Sequence, residues 1–171
     1  MTESIALYGG ALRTVLPSGF MDASLLRPVP DTQEVYVNAR QEGEDHGDGL
    51  GLHESITVDL LERIESSNDE NALHEHVTEI FDLNGSSKCQ IEQLNQINSS
   101  TYACIAHDVR LVLCVGLIRL PQYGTDVVIT INVPGQEVRT EEDLPKEVQA
   151  ANKVLTTILN HFEVVDGSLF V

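Results

Sequence analysis

"RLVLCVGLIRLPQYGTDVVITINV", residues 110–133, holds two apolar runs joined by Pro-Gln-Tyr-Gly. Both runs are rich in β-branched and aliphatic side chains, and the connection suits a hairpin. Neither run alternates apolar with polar, as a strand with one wet face would. Near-continuous apolar character instead marks strands covered on both sides, so this pair is read as the centre of a sheet. The first run is too short, and too interrupted by Arg110 and Arg119, to span a bilayer.

Working outward, "TYACIAH" at 101–107 reads as a further strand of the same block. Near the start, "IALYGGALRTVLP" has small apolar stretches around Gly9 and Gly10, which permit a tight bend or bulge. "SGFMDASLLRPVPD" is rich in turn residues, with Asp22 and Ser24 placed to cap one short helical turn. Pro28 and Pro30 fix an extended path, after which "TQEVYVNA" alternates as a strand. "RQEGEDHGDGLGLH", residues 40–53, has no periodicity and reads as an exposed, mobile acidic loop.

Two helices complete the pattern. Ser67 and Glu70 have capping-box spacing, Leu73, Val77, Ile80 and Phe81 make one stripe, and Asn84 or Gly85 supplies the stop. Pro145 suits the first turn of a second helix, whose stripe is Val148, Ala151, Leu155, Ile158, Leu159 and Phe162. "EVVDGSLFV" then reads as an apolar tail docked on the sheet. The sum is an α+β fold: a mostly antiparallel central β-sheet with α-helices on both faces.

Length and composition agree with one domain over residues 1–171 and a globular core. No basic leader precedes an apolar block at the N-terminus, so the chain is expected to be soluble and intracellular. Cys89, Cys104 and Cys114 form no CxxC pair and read as reduced, buried thiols. Net charge is −17, and residues 41–79 alone hold twelve Asp or Glu against one Arg. That sign argues against nucleic-acid backbone as a ligand and favours a basic protein partner, or else a solubilising surface.

Within the acidic block, "ESITVDLLERIE" at 54–65 is ambiguous. Ile56, Val58 and Leu60 alternate as in a strand, yet Asp59 and Glu62 sit three apart, which shares a face only on a helix. The two carboxylates could be an acid/base pair, a metal site, a docking point or solvated charge. In a pure strand they would face opposite sides, so a shared contact requires a bulge or helical turn after Val58. Catalytic companions are hard to find. Cys104 and His107 fall on opposite faces of a strand, His74 and His76 diverge on a helix, and there is neither a GxSxG elbow nor a Walker loop. "EDHGD" at 44–48 lacks the spacing of a calcium loop. The chain is therefore read as a non-enzyme with no metal and no cofactor.

Four stretches carry a resemblance: "LYGGALRTVLPSGFMDASLLRPVPDTQEVYVN" at 7–38, "ESITVDLLE" at 54–62, "LIRLPQYGTDVVITINVP" at 117–134 and "VVDGSLF" at 164–170. Together they resemble the Ran guanine nucleotide release factors, the Mog family of nuclear import proteins. The resemblance implies a sheet-and-helix fold shared with the PsbP proteins. It also implies binding to the small GTPase Ran, release of GTP from it, support of nuclear protein import, and residence in nucleus and cytoplasm. The partner surface would be basic and near the nucleotide pocket, with no nucleic acid and no membrane involved and the chain a monomer. Family likeness nominates Asp59 and Glu62 as Ran contacts, with Asp22, Arg27, Asp31 and Gln33 as companions. Arg27 and Asp31 serve equally well as structural supports of the Pro28–Pro30 segment. The competing reading is a PsbP-like module that binds a small ligand or cation without a GTPase.

Overall fold

The structure is a computed structural model that describes residues 2–66, 68–86 and 88–170, with only the backbone of Glu141. Ten strands and two α-helices are seen among the described residues: β1 Thr2–Leu7, β2 Leu12–Pro17, β3 Phe20–Asp22, β4 Gln33–Asn38, β5 Ser55–Glu62, α1 Asp69–Leu83, β6 Gln90–Asn98, β7 Thr101–His107, β8 Val112–Leu120, β9 Thr125–Asn132, α2 Lys146–His161 and β10 Glu163–Val164. Seven strands form one sheet in the order β3-β4-β5-β9-β8-β7-β6, and β1, β2 and β10 form a second. Every pairing is antiparallel.

The opening stretch of sequence occupies the position its pattern predicts. β8 is buried at all nine residues, and β8 and β9 sit in the interior of the seven-stranded sheet. Alternate residues feed two cores. Ile118, Val127, Ile129 and Ile131 pack with Val148, Leu155 and Ile158 of α2 and with Leu7 and Leu12 of the small sheet. Val115, Leu117 and Val128 pack on the other face with Leu73, Val77 and Phe81 of α1. Burying each such side chain stabilises the fold by about 1.5–3 kcal/mol before entropy is counted. Gly116 allows α2 its close approach, since a Cβ there would lie 2.8 Å from both Leu159 methyls.

Helix α1 begins at Asn68, whose side chain accepts the Asn71 N–H at 2.8 Å. Ser67, the cap expected from sequence, lies outside the described residues. The C-terminal segment docks differently from the expected placement on the main sheet. β10 pairs with β2 of the small sheet, and the following turn stacks Phe170 on Tyr123 with ring centres 4.6 Å apart. Strand β6 lies in the strand-rich block but carries no apolar run of its own. Its sequence "QIEQLNQIN" is polar, and register shifts around Gln93 (φ +52°) break the alternation that would have marked a strand.

Candidate functional site

β5 is one uninterrupted strand through Glu62. On β9 its register runs Asp59 opposite Val128, Leu61 opposite Asp126 and Glu62 opposite Thr125, and on β4 Asp59 faces Gln33. No bulge or helical turn follows Val58. A helical turn there would strip backbone hydrogen bonds from the centre of a sheet, which outweighs the helix-like spacing of two acids. Asp59 therefore faces the α1 side with Gln33 and Val128, while exposed Glu62 faces the α2 side. The acid/base pair expected as one possibility is not formed.

What gathers these residues is the end of the sheet rather than a face. β3 runs toward the same end at which β4 begins and β5 finishes. Asp22 closes β3 and caps the 3-10 turn Ala23–Leu25, accepting the Ser24 N–H at 2.8 Å. Arg27 and Asp31 are exposed on the link to Gln33. Burial raises the Asp59 carboxyl above its usual range, and a hydrogen bond with Gln33 and the nearby His76 ring offset only part of that.

Two supports at this end went unnoticed in the sequence. Tyr8, in the left-handed region at φ +51°, donates its hydroxyl toward Thr32 O at 2.8 Å and Val58 O at 2.9 Å, tying the entry of β4 to the middle of β5. Its N–H donates to Glu34, which also accepts the Tyr36 hydroxyl at 2.9 Å. The second support is a buried ionic network. Arg119 donates to Asp126 (2.7 Å), to Asp69 at the start of α1 (3.1 Å) and to Ile64 O just past β5 (2.6 Å). His76 Nε2 lies 2.7 Å from the second Asp126 oxygen. Burial opposes ionisation of Asp126, but the His76 and Ile64 hydrogen bonds and the Arg119 charge prevail and hold its carboxyl below the usual range. A clue was present: Arg119 and Asp126 are cross-strand partners on the two arms of the hairpin.

The opposite end of the sheet is built differently. The loop expected to be mobile has exposed tips but fixed stems. Arg40 pairs with Asp48 (Nη1–Oδ1 2.8 Å), donates to Ser18 O (Nε, 3.0 Å) and sits over the Phe20 ring. Glu54 accepts the Gly51 N–H and an Asn38 amide hydrogen, at 2.6 and 3.0 Å. Beyond α1's C-terminus lies a cavity of about 1230 Å³, whose wall carries Lys88, Arg110 and Arg139 together with Asp82, Asp108 and Glu137. Among the described residues no three His, Cys, Asp or Glu side chains converge as a cation site. Cys89 is only half-buried, whereas burial pushes the Cys104 thiol up to about 12 and raises Cys114 as well.

Residues 5–134 match the family model described as "Ran-interacting Mog1 protein". The chain belongs to the Mog1 family. It is 41% identical to nuclear import protein MOG1 of Saccharomyces cerevisiae, with 98% of this chain and 84% of that protein aligned. It is 29% identical to the Ran guanine nucleotide release factor of Homo sapiens, covering 81% of this chain and 80% of that one. The crystal structure of the S. cerevisiae Ran-binding protein Mog1p superposes with a TM-score of 0.92 at 40% identity, over 100% of this chain and 99% of that one. The Mog1 fold is thus the α+β arrangement described above, with a helix on each face of an antiparallel sheet. All six nominated side chains fall inside the stretch matched by the Mog1 family model.

Proposed function

We infer that this protein binds the small GTPase Ran, promotes release of guanine nucleotide from it and supports nuclear protein import. The observation that carries the reading is family membership over most of the chain, joined to a relative named for nuclear import that aligns with 98% of it. The protein acts by binding, as a monomer distributed between nucleus and cytoplasm, with no nucleic acid or membrane as ligand. Release needs no covalent step. A factor that binds the nucleotide-free GTPase more tightly than the GTP-bound form shifts the equilibrium by that difference alone.

The contact surface in this reading is the end of the sheet where β5 finishes. Asp59, Glu62, Asp22 and Asp31 supply negative charge there, Arg27 and Gln33 lie among them, and a basic Ran surface near the nucleotide pocket is the complement. Glu62 and Asp31 have no ion-pair partner among the described residues, which leaves their charge available to another protein. The test is release of labelled GTP from purified Ran with and without the protein, beside gel filtration of the mixture. Acceleration and a co-eluting complex are expected. Neither acceleration nor a complex would end this reading.

A ligand-binding module is the second reading, and the cavity beyond α1 is the observation in its favour. Its walls balance three cations against three carboxylates, so they select no simple ion by charge.

A further inference from the structure

Two of the large apolar side chains exposed in the structure are consecutive: Leu25 is 75% and Leu26 67% exposed. Single exposed leucines are ordinary, but an adjacent pair held on a rigid turn is not. The turn is held from several sides. Ala23 is buried beneath it, Asp22 caps it, and the N–H groups of Leu26 and Arg27 both donate to Ala23 O at 2.9 and 3.0 Å. Pro28 and Pro30 follow, and Gln33 N–H closes back on Pro30 O at 2.9 Å. The two leucines are thus presented in a fixed place, which lowers the entropic cost of covering them.

We propose that Leu25 and Leu26 are the apolar anchor of the surface that docks the GTPase, with Asp22, Asp31, Asp59 and Glu62 as its acidic rim. The proposal rests on the function inferred above and says which contact supplies most of the affinity. Strand spacing and rise put the Cα atoms of Asp22 and Asp59 about 14 Å apart. One partner burying about 800 Å² on each side covers both. Apolar centres ringed by charge are how protein interfaces concentrate affinity, while the charges set rate and register.

Charge identifies the occupant. An apolar patch with an acidic rim fits a partner whose own apolar contact is edged by lysine and arginine. Leu83 and Val109 are also exposed, but they lie at the other end of the sheet, where Lys88, Arg110 and Arg139 are balanced by Asp82, Asp108 and Glu137 and no acidic rim is formed. Val165 stands alone in the C-terminal segment.

The experiment compares the wild-type chain, the double substitution Leu25→Ser with Leu26→Ser, the conservative Leu25→Met with Leu26→Met, and Glu62→Lys. Each is titrated against Ran across a salt series, with circular dichroism and analytical ultracentrifugation on each variant. The serine pair is expected to weaken binding by about 30-fold while keeping the wild-type fold and salt slope. The methionine pair should restore most of the affinity, and Glu62→Lys should flatten the salt slope. A serine pair that binds within about threefold of wild type overturns the proposal while leaving the function intact. A wild-type chain that does not bind Ran overturns the function itself. A wild-type dimer that the serine pair dissociates, with Ran affinity unchanged, assigns the leucines to a second copy and also overturns the proposal.

Discussion

The two ends of β5 carry acids from the same block of sequence, yet they use them in opposite ways. At its start, the carboxylates of the 40–54 segment are largely consumed inside the molecule: Asp48 by Arg40, Glu54 by Gly51 and Asn38, and Glu44 by His46. At its finish, Glu62 has no internal cation among the described residues, nor has Asp31 on the neighbouring link before β4, and Asp59 is half-buried with Gln33 as a hydrogen-bond partner. A count of charge along the chain treats these acids as one feature. Their partners divide them into acids that build a loop and acids that pair with no internal cation among the described residues.

Each end also rests on a buried arginine, and replacing those arginines is the harshest way to probe the comparison. Arg119→Met should cost about 3–5 kcal/mol, because Asp126, fully buried, loses its cation. Arg40→Met should cost less, about 1–3 kcal/mol, since Asp48 retains some access to water. Urea denaturation of both variants reads the order directly. If Arg40→Met were the more damaging, the loop end would be the mechanical centre of the fold.

Binding offers the next test. Pairing Asp59→Lys with Glu62→Lys should remove about 2–5 kcal/mol of Ran affinity, the range for breaking charge pairs desolvated within an interface. Reversal of the loop acids Glu42→Lys and Asp45→Lys should alter only the association rate, and only at low salt. Stopped-flow association and equilibrium titration separate the two effects. Equal losses of affinity from both pairs would erase the distinction between the ends.

The sequence made some of this visible for physical reasons. β8 and β9 are covered on both faces, so continuous apolar runs announced them, and the stripes of α1 and α2 announced their buried sides. β6 stayed hidden because a polar edge strand with a shifted register lacks any simple period. The candidate residues were legible through family likeness, but their arrangement was not. Asp59 and Glu62 looked like a pair because spacing of three is helical, whereas hydrogen bonding on β5 fixed a strand. Arg119 looked like an interruption in an apolar run because its partners, Asp126, Asp69 and Ile64, come from three separate elements.

A gentler perturbation checks that the loop end is structural. Gly19 has φ +83°, and a Cβ there would lie 2.7 Å from Arg40 Cγ. Gly19→Ala should lower stability by about 1–2 kcal/mol through left-handed backbone strain and displacement of Arg40. Ran affinity should remain unchanged, because the β3–β4 pairing and the Ser24 cap keep Asp22 in place while the strain falls on Arg40. Thermal unfolding beside a binding titration measures both quantities in one preparation.

The smallest effect, and the one that most sharpens the contrast, comes from Asp59 and Asp126, neighbours on the α1 side of adjacent strands. Burial raises the Asp59 carboxyl, so the folded state favours its protonated form. The associated stability is fully present below the ordinary carboxylate pKa and is lost as pH rises through the raised folded value. Asp59→Asn should therefore stabilise the protein at neutral pH, by an amount that shrinks as the solution is acidified. Asp126 has the opposite sign. Its lowered carboxyl contributes stability above the ordinary range that is lost as pH falls through the folded value, so Asp126→Asn should destabilise at neutral pH and matter least in acid. Unfolding midpoints from pH 7 down to about 3 give both curves across the carboxylate range. An asparagine at position 59 that stabilises the fold while weakening Ran binding marks a carboxylate kept at a cost to stability for its contact with a partner. One that destabilises at pH 7 places Asp59 with Asp126 among the acids that hold the molecule together.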